Sequence, residues 1–294
     1  MSAPTTVRLP DGVTVAAHGT CVVSGPALSW LRRLDRAVAE LAVGWGATEH
    51  QFPPLVPAAD LDRMGYFTAF PHLVTMPATL PADEAEVQRF VDGYALGADG
   101  TVPVTGLAPM RHALTPAACY PVYAMLREHR ADRPTLVTTV ATCYRREERF
   151  EPLRRQWAFT MREVVCVGSA AEVREFLDRG RTAVDTLRER LGVPGPWEVA
   201  TDPFFRPQDS GAHLMQQLDP VKHEALAGTL AIASVNLHHD HFGAAFDLGR
   251  GDATAHTGCV AFGLERWLAV VAERWGPDPL RWPDPLARSA GGPQ

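Results

Sequence analysis

Three segments of the chain repeat apolar residues at helical spacing and predict amphipathic helices. The first runs from about Pro26 to Val43, and its proline suits the first helical turn. The second ends near Leu191 and opens on Ser169 and Glu172, whose spacing is that of a capping box. The third covers about Leu264 to Trp275. Residues 218–226 (LDPVKHEAL) also predict a helix.

Shorter apolar runs rich in β-branched residues lie between these helices and predict strands. The predicted strands are a ribbon within residues 5–23 turning at Pro10 to Gly12, Leu136 to Tyr144, Phe159 to Val167, Ile232 to Asn236, Phe242 to Phe246 and Gly258 to Gly263. Residues 50–90, rich in proline and aromatics, predict irregular structure, as does the tail from about residue 277. The order of elements predicts one α+β domain over residues 1–294, with a mostly antiparallel sheet flanked by helices.

Composition narrows the function classes. Apolar residues make up 46% of the sequence, as in an ordinary globular protein. The net charge of −6 argues against a protein whose main function is to bind nucleic acid. The sequence has no apolar run of about 18 residues, so no transmembrane helix is predicted, and the first ten residues show no secretory signal. The five cysteines are widely spread and form no disulfide framework, which favours a reducing cytoplasm.

The predicted hairpin around residues 136–167 carries the first chemical signal. Arg145 and Glu147 project from one strand face, and Phe159, Met161 and Glu163 share a face of the returning strand. A guanidinium there would neutralise a phosphate. Phe159 would stack on a base, and Glu147 would read the amino edge of adenine. The bland interpretation is a solvated charge pair beside a core phenylalanine.

Two further segments extend this nucleotide site. The loop inside the hairpin carries Arg149, Arg154 and Arg155, which could close over a polyphosphate. Near the C-terminus, GCVAFGLERW runs from a strand through a glycine turn into a helix. Arg266 in the first turn of that helix would be a second phosphate clamp.

These segments resemble motifs 2 and 3 of the class II aminoacyl-tRNA synthetases. CYRREERFEPLRRQWAFTMRE is similar to the motif 2 strand, loop and return strand, and GCVAFGLERW to motif 3. Residues 51–67 are a weaker match to motif 1, with Pro53 or Pro54 as the dimer-interface proline. The resemblance spans about residues 45–275. It implies that ATP is a substrate bound by Arg145, Glu147, Arg155, Phe159 and Arg266, that Arg145 and Arg266 are the catalytic clamps with Mg²⁺, and that the chain forms a homodimer.

Cys119, Glu163 and Cys259 fall at positions that resemble the zinc site of the atypical seryl-tRNA synthetases of methanogens. They resemble even more the site of their truncated relatives, the amino acid:carrier protein ligases. Three protein ligands leave the fourth zinc position open, and in that family it takes the substrate's α-amino group. The alternative is that both cysteines are small core residues.

The choice between these relatives rests on length. A tRNA synthetase of this lineage needs a further tRNA-binding domain, for which 294 residues leave little room. The resemblance therefore implies a ligase that activates a small amino acid (glycine, alanine or serine) as its adenylate. The enzyme then transfers the activated amino acid to the phosphopantetheine thiol of an acyl or peptidyl carrier protein. Neither tRNA nor a membrane is expected as a partner. The sequence offers no general base, so the AMP phosphate is the candidate.

The run Asn236-Leu-His-His-Asp-His-Phe-Gly leaves more open. If it is a strand, His238 and Asp240 share one face, and in the resembled family this region lines the amino acid pocket. Asn236, His238 and Asp240 are therefore candidate substrate contacts, and a second metal site is the lesser alternative. One departure stands nearby: the family carries an acidic residue for Mg²⁺ or ATP where this chain has Ala231 and Ile232.

That departure keeps two other functions in view: a non-catalytic paralogue that senses an amino acid or nucleotide, and an aminoacyl transferase acting on tRNA or another small acceptor. The arginines of the helix after Ser169 are either a solvated face or a docking site for an acidic carrier protein.

Overall fold

The computed structural model describes residues 9–16, 19–102, 106–209, 214–216 and 219–287. Its helices are α1 (Gly25–Gly44), α2 (Ala58–Arg63), α3 (Tyr66–Ala69), α4 (Glu84–Gly93), α5 (Tyr120–Met125), α6 (Ala170–Leu191), α7 (His241–Phe246) and α8 (Leu264–Trp275). Its strands are β1 (Val13–Ala16), β2 (Thr20–Val23), β3 (Thr48–His50), β4 (Leu55–Pro57), β5 (His112–Leu114), β6 (Arg130–Ala131), β7 (Thr135–Tyr144), β8 (Ala158–Gly168), β9 (Trp197–Ala200), β10 (Lys222–Ala227), β11 (Leu230–His239), β12 (Gly249–Arg250), β13 (Ala253–Thr254) and β14 (His256–Gly263). None of the described helices is long and apolar enough to cross a membrane.

A seven-stranded sheet organises the chain, in the order β3-β7-β8-β14-β11-β10-β9. Every neighbouring pair is antiparallel except β3 and β7, which run parallel. The predicted fold class, a mostly antiparallel sheet flanked by helices, is therefore confirmed.

Helices cover both faces of this sheet. The long helices α1, α6 and α8 pack on one face around a core that includes Leu34, Val260 and Trp267. The short elements α2, α3, α5 and α7 lie over part of the other face, in a second core that includes Tyr123 and Phe246. The two cores share one sheet, which favours the single domain expected from the sequence.

A buried arginine on β8 holds the first sheet face together. Arg162 is only 2% exposed and points toward the long helices. Its guanidinium donates to both carboxylate oxygens of Asp35 on α1, at 2.7 and 2.9 Å, and to Glu49 on β3 at 2.8 Å. One side chain thus ties α1 and the edge strand to the centre of the sheet.

The predicted helices after residues 25, 169 and 263 are confirmed. The capping box of α6 forms as expected, with Glu172 N–H donating to Ser169 and Ser169 N–H donating to Glu172. Arg174 and Arg179 of α6 are exposed, so the solvated and docking interpretations both stay open. Arg179 lies over the Trp45 ring, Arg181 over Trp197, and Arg188 is buried beside Asp185.

Two predicted elements have the wrong type. Residues 218–226 were predicted as helix, but Lys222–Ala227 is the strand β10, because it pairs with both β9 and β11 and alternates a buried Ala225 with cavity-facing neighbours. Phe242–Phe246 was predicted as strand but is the helix α7. The two phenylalanines, four residues apart, both reach the second core, and the Phe242 ring stacks on Tyr123 at 4.1 Å.

Three boundaries also differ from the prediction. The turn at residues 10–12 leads into β1, and β1 pairs with β2 beyond it. The proline-rich segment contains β4, α2, α3 and α4 rather than irregular structure alone. The tail packs at least as far as Trp282, whose ring meets Trp30 edge to face at 5.3 Å.

We predict that Arg162→Met lowers the free energy of unfolding by about 3 kcal/mol, because it leaves two carboxylates without their buried partner. The matched control is Arg36→Met, which breaks the exposed Arg36–Glu40 pair on the same helix as Asp35 and should cost less than about 0.5 kcal/mol. Urea denaturation of both variants measures the difference. Equal losses in the two variants would contradict the role assigned to Arg162.

Candidate active site

A cavity of about 890 Å³ lies on the sheet face opposite the long helices. Its floor is formed by side chains of β8, β10, β11 and β14 that share this face. Its walls come from residues 64–73, 116–120, 202–204 and 238–242. The predicted ATP, amino acid and metal residues all line it, whereas Arg149 is exposed and lies outside it, as do Pro53 and Pro54.

Three potential metal ligands converge at one end of the cavity. The ligand atoms of Cys119, Glu163 and Cys259 all lie within 4.8 Å of one another, and all three side chains are buried. Glu163 pairs with Ala261 and Cys259 with Val165, so the two side chains are diagonal neighbours on one face of β8 and β14. Cys119, at the start of α5, approaches from above the sheet.

The electrostatics of this cluster favour a bound cation. A hydrogen bond with Cys259, burial and the charge of Glu163 raise the pKa of Cys119 well above its ordinary value. Glu163 also accepts a hydrogen bond from the Ala118 N–H at 3.0 Å. Within the described residues this is the one group of three or more such ligands, and two thiolates with a carboxylate are a donor set that suits zinc.

Polar groups of β11 surround Cys259. The Asn236 amide nitrogen lies 3.4 Å from the Cys259 sulfur and 3.0 Å from Ser234 Oγ. His238 Nε2 lies 3.8 Å from the same sulfur, and its Nδ1 faces Tyr123 Oη at 3.3 Å. Burial lowers the pKa of His238 to about 4, so the imidazole is neutral at pH 7.

The sequence placed His238 and Asp240 on one strand face, and this is wrong. β11 bulges between Leu237 and His239, and His239 has a positive φ of 49° that ends the strand. Asp240 is exposed at the cavity rim and stands at the N-cap position of α7 without a capping hydrogen bond from its side chain. Of the three predicted substrate contacts, Asn236 and His238 approach the Cys259 thiol and Asp240 does not.

The other end of the cavity is basic. The Arg145 guanidinium lies 5.2 Å from the centre of the Phe159 ring, and its Nε donates to Pro116 O at 2.8 Å. Arg266, in the first turn of α8, donates to the carbonyls of Arg154 and Ala231, both at 2.9 Å. Burial and the charge of Arg145 lower the pKa of Arg266. The two predicted clamps therefore face the same space.

Ion pairs fix the charged loop between β7 and β8. Arg155 binds Glu147 at 2.5 Å, and both residues line the cavity. Arg154 binds Glu151 at 2.8 Å and Glu273 on α8 at 2.5 Å. The loop is thus anchored to the end of the sheet and to α8, with Glu147 and Arg155 beside the basic end.

Several residues that position the site gave no recognisable signal in the sequence. The carboxylate of Glu265, which is buried in the cavity wall, accepts the Thr160 N–H at 3.0 and 2.9 Å. The carbonyl of Pro116 and the N–H of Ala118 act through the backbone, which no side-chain pattern reveals. Lys222 lies on a segment predicted as helix and was expected at the surface or the rim of a pocket, whereas the structure places it on the cavity floor.

Comparison with known proteins matches this geometry. The family model "tRNA synthetase class II core domain (G, H, P, S and T)" matches residues 109–275. Amino acid–(acyl-carrier-protein) ligase 1 of Bradyrhizobium diazoefficiens is 33% identical over 251 residues, covering 81% of this chain and 74% of that protein. Ligase 2 of the same organism is 33% identical over 243 residues, covering 79% and 71%. The chain belongs to the class II tRNA synthetase core family and, within it, to the amino acid–(acyl-carrier-protein) ligases.

More distant relatives agree in fold. The type-2 serine–tRNA ligase of Methanopyrus kandleri is 24% identical over 259 residues, and the match covers 80% of this chain and 49% of that protein. The structure of M. kandleri SerRS in complex with A. aeolicus tRNASec superposes with a TM-score of 0.76 at 21% identity, covering 97% of this chain and 61% of that one. The chain thus spans about half to three fifths of these synthetases.

We predict that Cys21 is the one fast-reacting thiol in the native protein. Cys21 is half-buried, whereas the other four cysteines are buried; burial raises the pKa of Cys21 as well as that of Cys166, which reaches about 12, so access of the reagent makes the difference. Titration with a chromogenic disulfide should count one reactive thiol before denaturation and five in urea. Cys21→Ser should remove the fast phase and Cys166→Ser should keep it. A fast phase that survives in Cys21→Ser would show that the ligand cluster is open to solvent.

Proposed function

We propose that this protein uses ATP to activate a small amino acid as its aminoacyl-adenylate and transfers it to the phosphopantetheine thiol of a carrier protein. One observation carries this proposal: a single cavity joins the Cys119–Glu163–Cys259 cluster to the clamps Arg145 and Arg266. An amino acid held at the first end directs its carboxylate toward a phosphate held at the second. The names of the B. diazoefficiens relatives supply the acceptor.

The ATP end of the cavity has the groups that the first step needs. Phe159 is the shelf for the adenine ring, and Glu147, held by Arg155, is the acceptor for its amino group. The guanidinium groups of Arg145 and Arg266 bind the α-phosphate. The substrate carboxylate oxygen attacks the α-phosphorus, the bond from that phosphorus to the bridging oxygen breaks, and pyrophosphate leaves; Mg²⁺, when bound, would offset its charge. The chain contributes positioning and fixed positive charge rather than covalent chemistry.

Cys119, Glu163 and Cys259 would hold zinc at the other end. Zinc bound there supplies an open coordination position for the neutral α-amino group of the substrate. Asn236 and His238, beside Cys259, then border the Cα of the amino acid, and Asp240 lies at the rim. All three side chains of the cluster are buried, so a bound metal would offset the cost of three converging acidic groups.

The second step is attack of the carrier thiol sulfur on the carbonyl carbon of the adenylate. A carbon–sulfur bond forms, the carbon–oxygen bond to AMP breaks, and AMP leaves. The phosphate of the adenylate is the nearest base for the thiol proton. We further propose a homodimer built around Pro53 or Pro54 and a cytoplasmic location, which the five free cysteines support.

A second candidate function rests on Ala231. Where the family has an acidic residue, this position offers only its carbonyl, which accepts from Arg266. A non-catalytic sensor would tolerate that loss. The retained set of two clamps, base shelf and ligand cluster favours the enzyme.

The decisive test is amino-acid-dependent exchange of pyrophosphate into ATP, run with all twenty amino acids. We expect exchange with one or two small amino acids. We also expect a loss of at least about a hundredfold in Arg266→Lys, since lysine keeps the charge but cannot make both carbonyl contacts. Arg274→Lys, on the same helix but outside the cavity, is the matched control.

Exchange with none of the amino acids would reject the ligase and leave the sensor. Exchange without loading of a phosphopantetheinylated carrier protein would point to tRNA or another acceptor.

Metal analysis tests the proposed ligands separately. We predict about one zinc per chain in the wild type and its loss in Cys119→Ser and Cys259→Ser, because two ligands hold zinc far more weakly than three. Cys166→Ser, a buried cysteine on the opposite sheet face, should keep its zinc. The zinc content of each dialysed protein is measured by mass spectrometry. A wild type purified without zinc that also fails to take it up would refute the assignment.

A further inference from the structure

Lys222 is the only lysine among the 294 residues; the other 27 basic residues of the Lys+Arg total of 28 are arginine. It lies on β10 with its side chain on the cavity floor, and that side chain is 17% exposed. Nothing in the proposed chemistry of the two clamps or the ligand cluster uses it. A lone ammonium inside a reaction cavity calls for a role of its own.

The strand register places Lys222 at the amino acid end of the cavity. Lys222 pairs with Asn236 across β10 and β11, and Asn236 pairs with Cys259 across β11 and β14. The backbone of Lys222 is therefore two strand spacings, about 9–10 Å, from that of Cys259. A lysine side chain spans much of that gap, so its ammonium borders the space where the side chain of a cluster-bound amino acid would lie.

Two carboxylates fix the ammonium. Lys222 Nζ donates to Asp202 Oδ1 at 3.1 Å and lies 3.4 Å from Glu224 Oε1. Asp202 is itself held, because its second oxygen accepts from Gln216 Nε2 at 3.0 Å and its N–H donates to Gln216 Oε1 at 3.0 Å. The ammonium is thus presented in one orientation.

The number of hydrogen bonds that the Lys222 ammonium can donate defines what it can bind. An ammonium has three N–H donors, and in the described part of the chain it donates a hydrogen bond to Asp202 and forms an ion pair with Glu224. The third donor needs an oxygen acceptor. The cluster of one ammonium and two carboxylates carries a net charge of −1, which disfavours an acidic side chain. An apolar side chain would remove water from the donor without replacing it.

We infer that Lys222, held by Asp202 and Glu224, is the specificity-determining residue of the amino acid pocket. It selects a substrate whose side chain is neutral and carries an oxygen acceptor, a hydroxyl above all. This inference rests on the proposed function and narrows its substrate from small amino acids in general to the hydroxyl-bearing ones.

Paired substrates test it in the pyrophosphate exchange reaction. The pairs are serine with alanine and threonine with valine, since each differs chiefly in the hydroxyl group. In the wild type the hydroxyl should raise kcat/KM about ten- to a hundredfold, the usual scale for a hydrogen bond to a charged group. Lys222→Met should bring the serine-to-alanine ratio within about threefold of one. Lys222→Arg should restore part of the preference.

Glu198→Gln is the matched control, because Glu198 is the exposed cross-strand partner of Glu224 on β9 and lies outside the cavity. Its serine-to-alanine ratio should equal that of the wild type. A purely structural Lys222 would lower the melting temperature in Lys222→Met and leave the ratio unchanged, which would overturn the inference. So would a wild type that prefers glycine or alanine.

The failures of the two proposals are distinguishable. Exchange with an apolar amino acid alone would reject the role of Lys222 and keep the ligase, whereas absence of all exchange would reject both.

Ligand binding to the wild-type protein gives an independent measurement if Lys222→Met does not fold. Labelling with ε-¹³C-lysine yields one lysine signal from the wild-type chain, because there is one lysine. That signal should shift more with seryl- than with alanyl-sulfamoyl adenosine, and equal shifts would contradict the inference.

Discussion

The site depends on the antiparallel register of β7, β8 and β14. Alternation along β8 sends Arg162 toward the long helices, where it binds Asp35 and Glu49, and sends Glu163 toward the cavity, where it meets Cys259. A slip of one residue in β8 would reverse both directions and place a carboxylate in the helical core. The ion pairs of Arg162 therefore fix the register on one face that the ligand cluster requires on the other.

Charge is separated along the cavity that this register creates. Three potential anions gather at one end, and two guanidiniums fixed by backbone carbonyls gather at the other. If the cluster holds zinc as proposed, an amino acid with a neutral amine and an ionised carboxylate would fit only one way between the cluster and the pair of arginines. In the proposed reaction the sheet thus orients both reactants before chemistry, which is where a catalyst of this type gains most of its rate.

The sequence was informative where chemistry and periodicity coincide. Motif 2 forms a regular hairpin, so alternation alone placed Phe159, Met161 and Glu163 on one face, whereas Cys259 was assigned to the same site through the resemblance to the family. Prediction failed where tertiary pairing overrides local pattern. LDPVKHEAL has residues that suit a helix, yet β9 and β11 pair with it on both sides. The end of β11 failed for a similar reason, because a bulge and the positive φ of His239 interrupt an otherwise continuous strand pattern.

Those two failures explain why the substrate pocket was the least predictable part of the site. Its polar groups come from β10, from the bulged end of β11 and from Asp202, which lies in a connecting segment; their proximity is decided by pairing across the sheet rather than by spacing along the chain. Glu163 and Cys259 lie on the central strands β8 and β14, Arg145 directly follows β7, and Arg266 lies in the first turn of the predicted helix α8, whereas Lys222 and His238 lie on the elements that departed from prediction. In the proposed enzyme the residues that activate the amino acid thus lie mainly on elements that the sequence predicts. The residues that select the amino acid lie on β10 and on the bulged end of β11. Substitutions at that edge can change the substrate without disturbing the register that Arg162 and Glu163 hold.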